Sequence, residues 1–268
     1  MEYFSGLFDA EGYVTIGKDG HFQVGTEMTN EEVPNLFQKQ FGGHIHERQR
    51  GNRKKTWTWV IASNTKLCYD FINAIAEDCI VKAKQLFILK DYLEHSRENR
   101  RIFREGHLGI LSKYKEPLQV SKEFIQTVPF GHLPTECFWK WLAGFFDGDG
   151  NFCVYEYEGK KSKIFDSWIG IFNTFPDPIC FMNSFFRGSI SQYKGTKFPI
   201  WKWVCNQKDS ELVCRNLLPH LRIKKEQCNL VLKFLDIKKT KTRSNIYSFD
   251  QINEIRDIIK QIKHLNSL

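Results

Sequence analysis

Two short stretches set paired carboxylates at the end of apolar runs with the same spacing. Residues 4–12 read Phe4-Ser5-Gly6-Leu7-Phe8-Asp9-Ala10-Glu11-Gly12, and residues 142–150 read Leu142-Ala143-Gly144-Phe145-Phe146-Asp147-Gly148-Asp149-Gly150. The shared order is small, small, two bulky apolar, acid, small, acid, glycine. A carboxylate at a helix C-terminus meets the negative end of the dipole, costing about 0.3–1 kcal/mol. Two such ends brought together add like-charge repulsion, which a divalent cation would remove. Residues i and i+2 do not share a helix face. One acid per stretch, Glu11 and Asp149, can therefore reach a common site, while Asp9 and Asp147 turn to local backbone donors. Two ordinary helix ends with solvated acids are the competing reading, and the matched recurrence weighs against it.

The elements that must hold these acids follow from periodicity. Apolar side chains at 138, 141, 142, 145 and 146 fit a helix. Ala143, Gly144 and Gly148 fall on another face with almost no bulk, which lets a second helix backbone approach closely. The first stretch supplies that second helix.

Both stretches resemble the LAGLIDADG signature of homing endonucleases. LAGFFDGDG is close to it, whereas FSGLFDAEG departs at its first two positions and ends in Glu as the final acid. The resemblance covers nearly the whole chain. It implies an α+β fold of two pseudo-symmetric αββαββα repeats, whose antiparallel four-stranded sheets form a DNA-binding saddle around a two-helix interface. It also implies a monomeric enzyme that hydrolyses both strands of a long, asymmetric double-stranded DNA site with staggered cuts.

Read in order, the chain supports that arrangement independently. Tyr13 to Gly17 and His21 to Thr29 alternate like strands. Asn30 can cap a helix running to Phe41, with Gly42-Gly43 ending it. His44 to Arg50 and Lys55 to Ala62 give two more strands, followed by a helix from about Thr65 to Glu77 and a last helix entered through residues 80–86. The second half replays the first. Phe41-Gly42-Gly43-His44-Ile45 matches Phe186-Arg187-Gly188-Ser189-Ile190, Thr56 to Val60 matches Ile200 to Val204, and Ile80 to Gln85 matches Arg222 to Gln227. Such duplication implies a pseudo-two-fold molecule. The expected divisions are repeat one at 1–96, a linker at 97–135, repeat two at 136–247, and a C-terminal amphipathic helix at 248–268 on the outside of repeat two. In the linker, Arg97, Arg100, Arg101 and Arg104 form a basic run read as solvated, with phosphate contact as the alternative. Gly106, Gly109, Pro117, Pro129, Gly131 and Pro134 punctuate it, leaving helix only near Ser121 to Gln126.

Alternate strand residues should form the exposed faces of the saddle: Thr15, His21, Gln23, Glu27, His46, Arg48, Arg50, Thr56 and Thr58 in repeat one, and Cys153, Tyr155, Tyr157, Ser191, Tyr193 and Lys202 in repeat two. These side chains can read base edges in a major groove, and Arg48 and Arg50 are the best candidates because arginine-to-guanine is the commonest specific contact. Carboxylates with open coordination positions suit Mg²⁺, or Mn²⁺ in its place. The metal group is Glu11 and Asp149 with their neighbours Ala10 and Gly148. The resemblance adds a lysine before the last helix of each repeat, matched by Lys82 and Lys224. It also adds a polar residue after the second strand near the metal-bound waters. Asn30 fits in repeat one, but Phe175 stands there in repeat two with Asn173 nearby. The reading pairs Asn30 with Lys82 and Phe175 with Lys224, and so expects the two centres to cut unequally. An RNA maturase assisting intron splicing and an inactive DNA-binding relative are the alternatives.

Composition fits these expectations. The net charge of +8 favours a polyanionic partner. No run of 18 apolar residues occurs, so no membrane span is expected. The eight cysteines show no zinc spacing, and several lie in apolar runs, such as Cys79, Cys180 and Cys228. They read as reduced, buried hydrophobes of an intracellular protein. Met1 directly precedes a motif helix, so no signal or transit segment is expected. Abundant Phe, Ile, Lys and Asn suggest an AT-rich genome, that of an organelle.

Overall fold

In the computed structural model, two helices cross at the centre and everything else hangs from them. The structure describes residues 1–49, 54–95, 97–118, 120–126, 131, 134–159, 163–195, 197–240 and 247–267, with backbone alone at 97–99 and 101–103. The central helices are α1 (Glu2–Glu11) and α7 (Glu136–Asp149). Each is buried along nearly its whole length. Their closeness is set by two glycines. A Cβ on Gly6 would lie 1.9 Å from the carbonyl oxygen of Trp141, and one on Gly144 would lie 1.9 Å from that of Tyr3. Any side chain there would drive the backbones apart.

Repeat one continues with β1 (Gly12–Ile16), β2 (Phe22–Met28), α2 (Glu32–Phe41), β3 (His44–Arg48), β4 (Thr56–Ala62), α3 (Thr65–Ile75) and α4 (Ala83–Glu94). After α5 (Arg97–Tyr114) and α6 (Lys122–Gln126), repeat two runs from α7 through β5 (Gly150–Glu158), β6 (Lys163–Asn173), α8 (Asp177–Phe185), β7 (Gly188–Tyr193), β8 (Ile200–Cys205), α9 (Gln207–Leu217) and α10 (Lys225–Lys239). The two four-stranded antiparallel sheets have the same order, β1-β2-β4-β3 and β5-β6-β8-β7. One face of each sheet packs on helices. Val14, Val24, Trp59 and Ile61 fill the core in repeat one, and Phe152, Val154, Ile169 and Trp203 in repeat two. The last helix, α11 (Phe249–Leu265), begins with a Ser248 capping box and packs on repeat two through Ile255, Ile258, Ile259 and Ile262. Among the described residues, no helix is long and apolar enough to cross a membrane.

The linker departs from expectation. Where an irregular connector is predicted, the 18-residue helix α5 lies against α4. Gly106 and Gly109 meet nothing within 4 Å, so each costs about 1 kcal/mol of helix propensity without ending the helix. Burial of Leu111 and His107 offsets that cost. Arg100 belongs to this packing. Its guanidinium donates to the carbonyls of Leu93 and His95 and so caps the end of α4, a structural task in place of the expected solvation.

Candidate nuclease centre and nucleic-acid face

At the C-terminal end of α1 and α7 the two acids of each motif part company. Asp9 is fully buried and accepts from the backbone N–H groups of Ile80 (2.6 Å), Val81 (3.0 Å) and Lys82 (2.8 Å). Asp147 accepts from those of Arg222 and Lys224, both at 2.8 Å. The predicted turning-away therefore holds, but the donors are not local. They lie up to 73 residues further along the chain for Asp9 and 77 for Asp147. These amides lie in the turns that lead into α4 and α10, whose N-caps are Lys82 and Lys224, and the N-terminal end of a helix favours an anion. Each buried aspartate thus moors the last helix of its repeat, and with it Lys82 or Lys224. Burial pushes the Asp9 carboxyl up to about 6 against the pull of these donors.

Glu11 and Asp149 stay partly accessible to solvent and meet across the helix pair. The Cβ position of Gly148 is 2.5 Å from the Cβ of Ala10, so glycine lets the two helix ends close here, and 3.4 Å from Oε1 of Glu11, which sets the Glu11 carboxylate beside the end of α7. Asp149 is pushed up to about 7, first by burial and then by the negative charge of Glu11. Glu11 is raised by burial and pulled back by Lys224 and then Lys82. Both lysines are lowered by burial, while nearby carboxylates oppose that shift. Two acids and two ammonium groups therefore share one poorly hydrated centre. Its donor set of carboxylate and backbone oxygens suits a hard dication. The Lys224 ammonium already stands in for such a charge, donating to the carbonyls of Gly148 at 2.5 Å and Gly150 at 2.8 Å.

The two lysines are not equivalent. Lys82 lies 5.4 Å from the ring centre of Phe175 and shares a cavity of ≈ 370 Å³ with Ala10, Asp149, Asn173 and Phe175. This corrects the predicted pairing. Phe175 sits against the lysine of the other repeat, because the crossing of the motif helices brings the end of β6 over α4's first turn. Asn173, noted in the sequence only as a neighbour, donates Nδ2–H to Asp149 Oδ2 at 2.7 Å and accepts from the Phe175 N–H at 2.8 Å. Asn30 accepts from the Glu32 N–H at 2.8 Å and holds the start of α2.

The strand registers bring the predicted face together. Thr15 pairs with Gln23, Glu27 with Thr58, Thr58 with His46, and Thr56 with Arg48, so all lie on the side away from the helices. His21 is exposed in the turn before β2, its Nδ1 2.9 Å from the Ser63 hydroxyl. Arg50 lies outside the described residues. In repeat two, Tyr155, Tyr157, Ser191, Tyr193 and Lys202 share one face, with Cys153. Sequence reasoning missed Trp168 and Phe172 on that face. The Lys202 ammonium stands 4.2 Å and 5.2 Å from their ring centres. Large aromatic side chains are more often buried than exposed, so the residue types alone carry no outward signal. The signal that could have found them was the neighbouring small or apolar run at Ile169 and Ile171, which takes the buried side.

No family model matches the chain. The intron-encoded RNA maturase bI4 of Saccharomyces cerevisiae is 22% identical over 212 residues, covering 78% of this chain. The chain spans only 27% of that relative's length. Among solved structures, I-SmaMI bound to an uncleaved DNA target with calcium ions is similar over 98% of both chains, at 17% identity and a TM-score of 0.68. The LAGLIDADG meganuclease I-AabMI bound to uncleaved DNA is similar over 96% of this chain and 97% of its own, at 14% identity and a TM-score of 0.70. With two matched motif helices, two sheets of one order and these likenesses along its length, the chain has the fold of the LAGLIDADG homing endonucleases, in the form that carries both repeats in one polypeptide.

Proposed function

We propose that this chain is a site-specific endodeoxyribonuclease that acts as a monomer and makes a staggered double-strand break in a long, asymmetric DNA target. The observation that carries this reading is the meeting of Glu11 and Asp149 at the helix crossing, where two polar sheet faces from different repeats adjoin. Each repeat's face offers a different set of side chains, which suits a target without a palindrome. Solved structures of the same fold hold uncleaved and cleaved DNA.

Glu11 and Asp149, with the carbonyls of Ala10 and Gly148, would hold Mg²⁺ or Mn²⁺. A bound dication supplies Lewis acidity toward phosphate and an activated water. Lys82 and Lys224 place positive charge beside the scissile phosphates, where a poorly hydrated site makes it count for more than in water. Asn173 fixes the orientation of the Asp149 carboxylate. Phe175 keeps solvent off one side of Lys82.

The test uses supercoiled plasmid carrying a randomised target library. Wild-type protein with Mg²⁺ should yield linear molecules cut at one sequence with short overhangs. Glu11→Gln combined with Asp149→Asn should bind the selected target and leave it intact, since charge is lost but little volume. Full cleavage by the double variant would overturn the assignment. A second reading, assistance to intron RNA splicing, is favoured by the likeness to the maturase bI4. Splicing of a host intron in the presence of the same double variant would reveal that activity separately.

A further inference from the structure

Away from the helix crossing, the end of α4 and the middle of α5 bring together one carboxylate and two imidazoles. We infer that Asp91, His95 and His107 form a binding site for a transition-metal dication of the zinc type. One ligating atom from each of the three side chains lies within 4.8 Å of the others. Asp91 and His95 are four residues apart at the end of α4 and so share a face. His107 reaches them from α5 and is only 8% exposed. Its Nε2 lies 2.8 Å from Asp91 Oδ2.

Three features fit a metal better than a simple ion pair. The first is His95, whose Nδ1 lies 2.7 Å from the Asp91 carbonyl oxygen. A carbonyl only accepts, so the neutral ring carries its hydrogen on Nδ1 and its lone pair on Nε2. Metal-ligating histidines are commonly held this way, the second nitrogen donating to a backbone carbonyl or carboxylate. The second is the ring packing. His107 contacts His95 at 5.5 Å and Tyr92 at 5.4 Å between ring centres, which limits how far the imidazoles can swing. The third is position, since the C-terminal end of a helix favours a cation.

Ligand type selects the ion. Two imidazoles with one carboxylate suit Zn²⁺, Co²⁺ or Ni²⁺, whereas Mg²⁺ prefers oxygen alone. Zinc–nitrogen bonds are about 2.0–2.1 Å, so the ligand atoms must draw in slightly. Asp91 can supply that movement, its side chain being 64% exposed. Solvent water would complete the fourth position. The bound ion would pin the helix that bears Lys82 to the first helix of the connector.

His95 separates this site from a plain Asp91–His107 ion pair, which does not need it. The experiment uses the full chain without an affinity tag, carrying Glu11→Gln and Asp149→Asn so that the helix-crossing acids contribute nothing. Calorimetric titration with Zn²⁺ in excess Mg²⁺ should show one equivalent bound, and Co²⁺ should give a visible absorption band. His95→Ala and Asp91→Asn should each weaken Zn²⁺ at least tenfold while leaving the circular dichroism unchanged. At free Zn²⁺ 100 times its Kd, the folded-to-unfolded ratio should rise about 100-fold. Absence of Zn²⁺ binding, or an affinity in both variants equal to that of the parent protein, would overturn the proposal. Neither result bears on the nuclease reading, because those acids are already removed.

Discussion

The indole Nε1–H of Trp141 donates to Oδ2 of Asp9 at 3.0 Å, across the boundary between the two repeats. Tyr3, which holds the corresponding place on the other helix, donates its hydroxyl to Asp147 Oδ2 at 2.7 Å. Each repeat therefore satisfies the buried acid of the other. Burial and the Asp147 charge raise the Tyr3 hydroxyl's pKa, which keeps it a donor.

Trp141→Phe should remove one donor from a buried carboxylate without opening a large cavity. A loss of about 1–3 kcal/mol is expected. Tyr3→Phe should cost a similar amount. Denaturant unfolding of both single variants and the double variant measures whether the two bonds are independent. A change under about 0.5 kcal/mol for both would show that the backbone donors alone suffice.

The raised carboxyl of Asp149 makes a pH prediction. Its ordinary value is 3.8 and its folded value about 7, so the folded state holds the proton more tightly than the unfolded state. Stability from this group is complete below pH 3.8 and is lost as pH rises to about 7. Asp149→Asn, which cannot ionise, should therefore stabilise the protein at pH 8 by an amount on the order of 4 kcal/mol. The gain should fade toward pH 4. Added Mg²⁺ should raise the wild-type melting temperature at pH 8 and leave the variant's largely unmoved. Thermal melts across pH with and without Mg²⁺ check both statements.

The sequence revealed the motif helices, the order of the strands and the turn of Asp9 and Asp147 away from the shared site, since each follows from periodicity or i,i+2 spacing. It concealed what those acids bind, because the donors come from segments remote in sequence. The pairing of Phe175 with Lys82 was hidden for the same reason: only the helix crossing decides which repeat's strand end covers which lysine. Helix α5 was hidden by two glycines and a charged composition that local propensity counts against it. Trp168 and Phe172 carry large apolar side chains on an outward face, and a rule that sends aromatics inward misplaces them.

The two lysines should fail differently. Lys82 lies against an aromatic ring, and Lys224 is held by two carbonyls. The pseudo-two-fold that carries Phe175 to Asn30 carries Lys82 to Lys224, so the polar residue belongs with the second lysine. Misplacing a nucleophile by about 1 Å can cost 10²-fold. The strand served by Lys82 should therefore be cut more slowly, with nicked plasmid accumulating before linear product. Lys82→Met and Lys224→Met should slow opposite strands. End-labelled duplexes resolve the two cuts, and synchronous cutting with equal loss in both variants would refute the asymmetry.

Arg48 is exposed on the face shared with Thr56 and Glu27, and the Thr56 hydroxyl is 3.0 Å from Glu27 Oε1. Arg48→Ala should cost about 1–3 kcal/mol of binding and relax preference at one or two base pairs. Trp168→Ala and Lys202→Ala should weaken the other half of the footprint. Selection from a randomised target with each variant measures this, and an unchanged profile for all of them would mean that the faces do not read bases.

The glycine-to-carbonyl contacts between α1 and α7 also govern how the protein is made. The apolar flank of α1 leaves the ribosome well over a hundred residues before its partner helix exists. At about 5–20 residues per second, that surface waits on the order of ten seconds without its cover. Nascent chains are therefore most open to chaperone capture or to pairing with a neighbouring copy during synthesis of repeat one. Slowing translation within residues 13–135 should lower the yield of folded protein more than slowing it after residue 150.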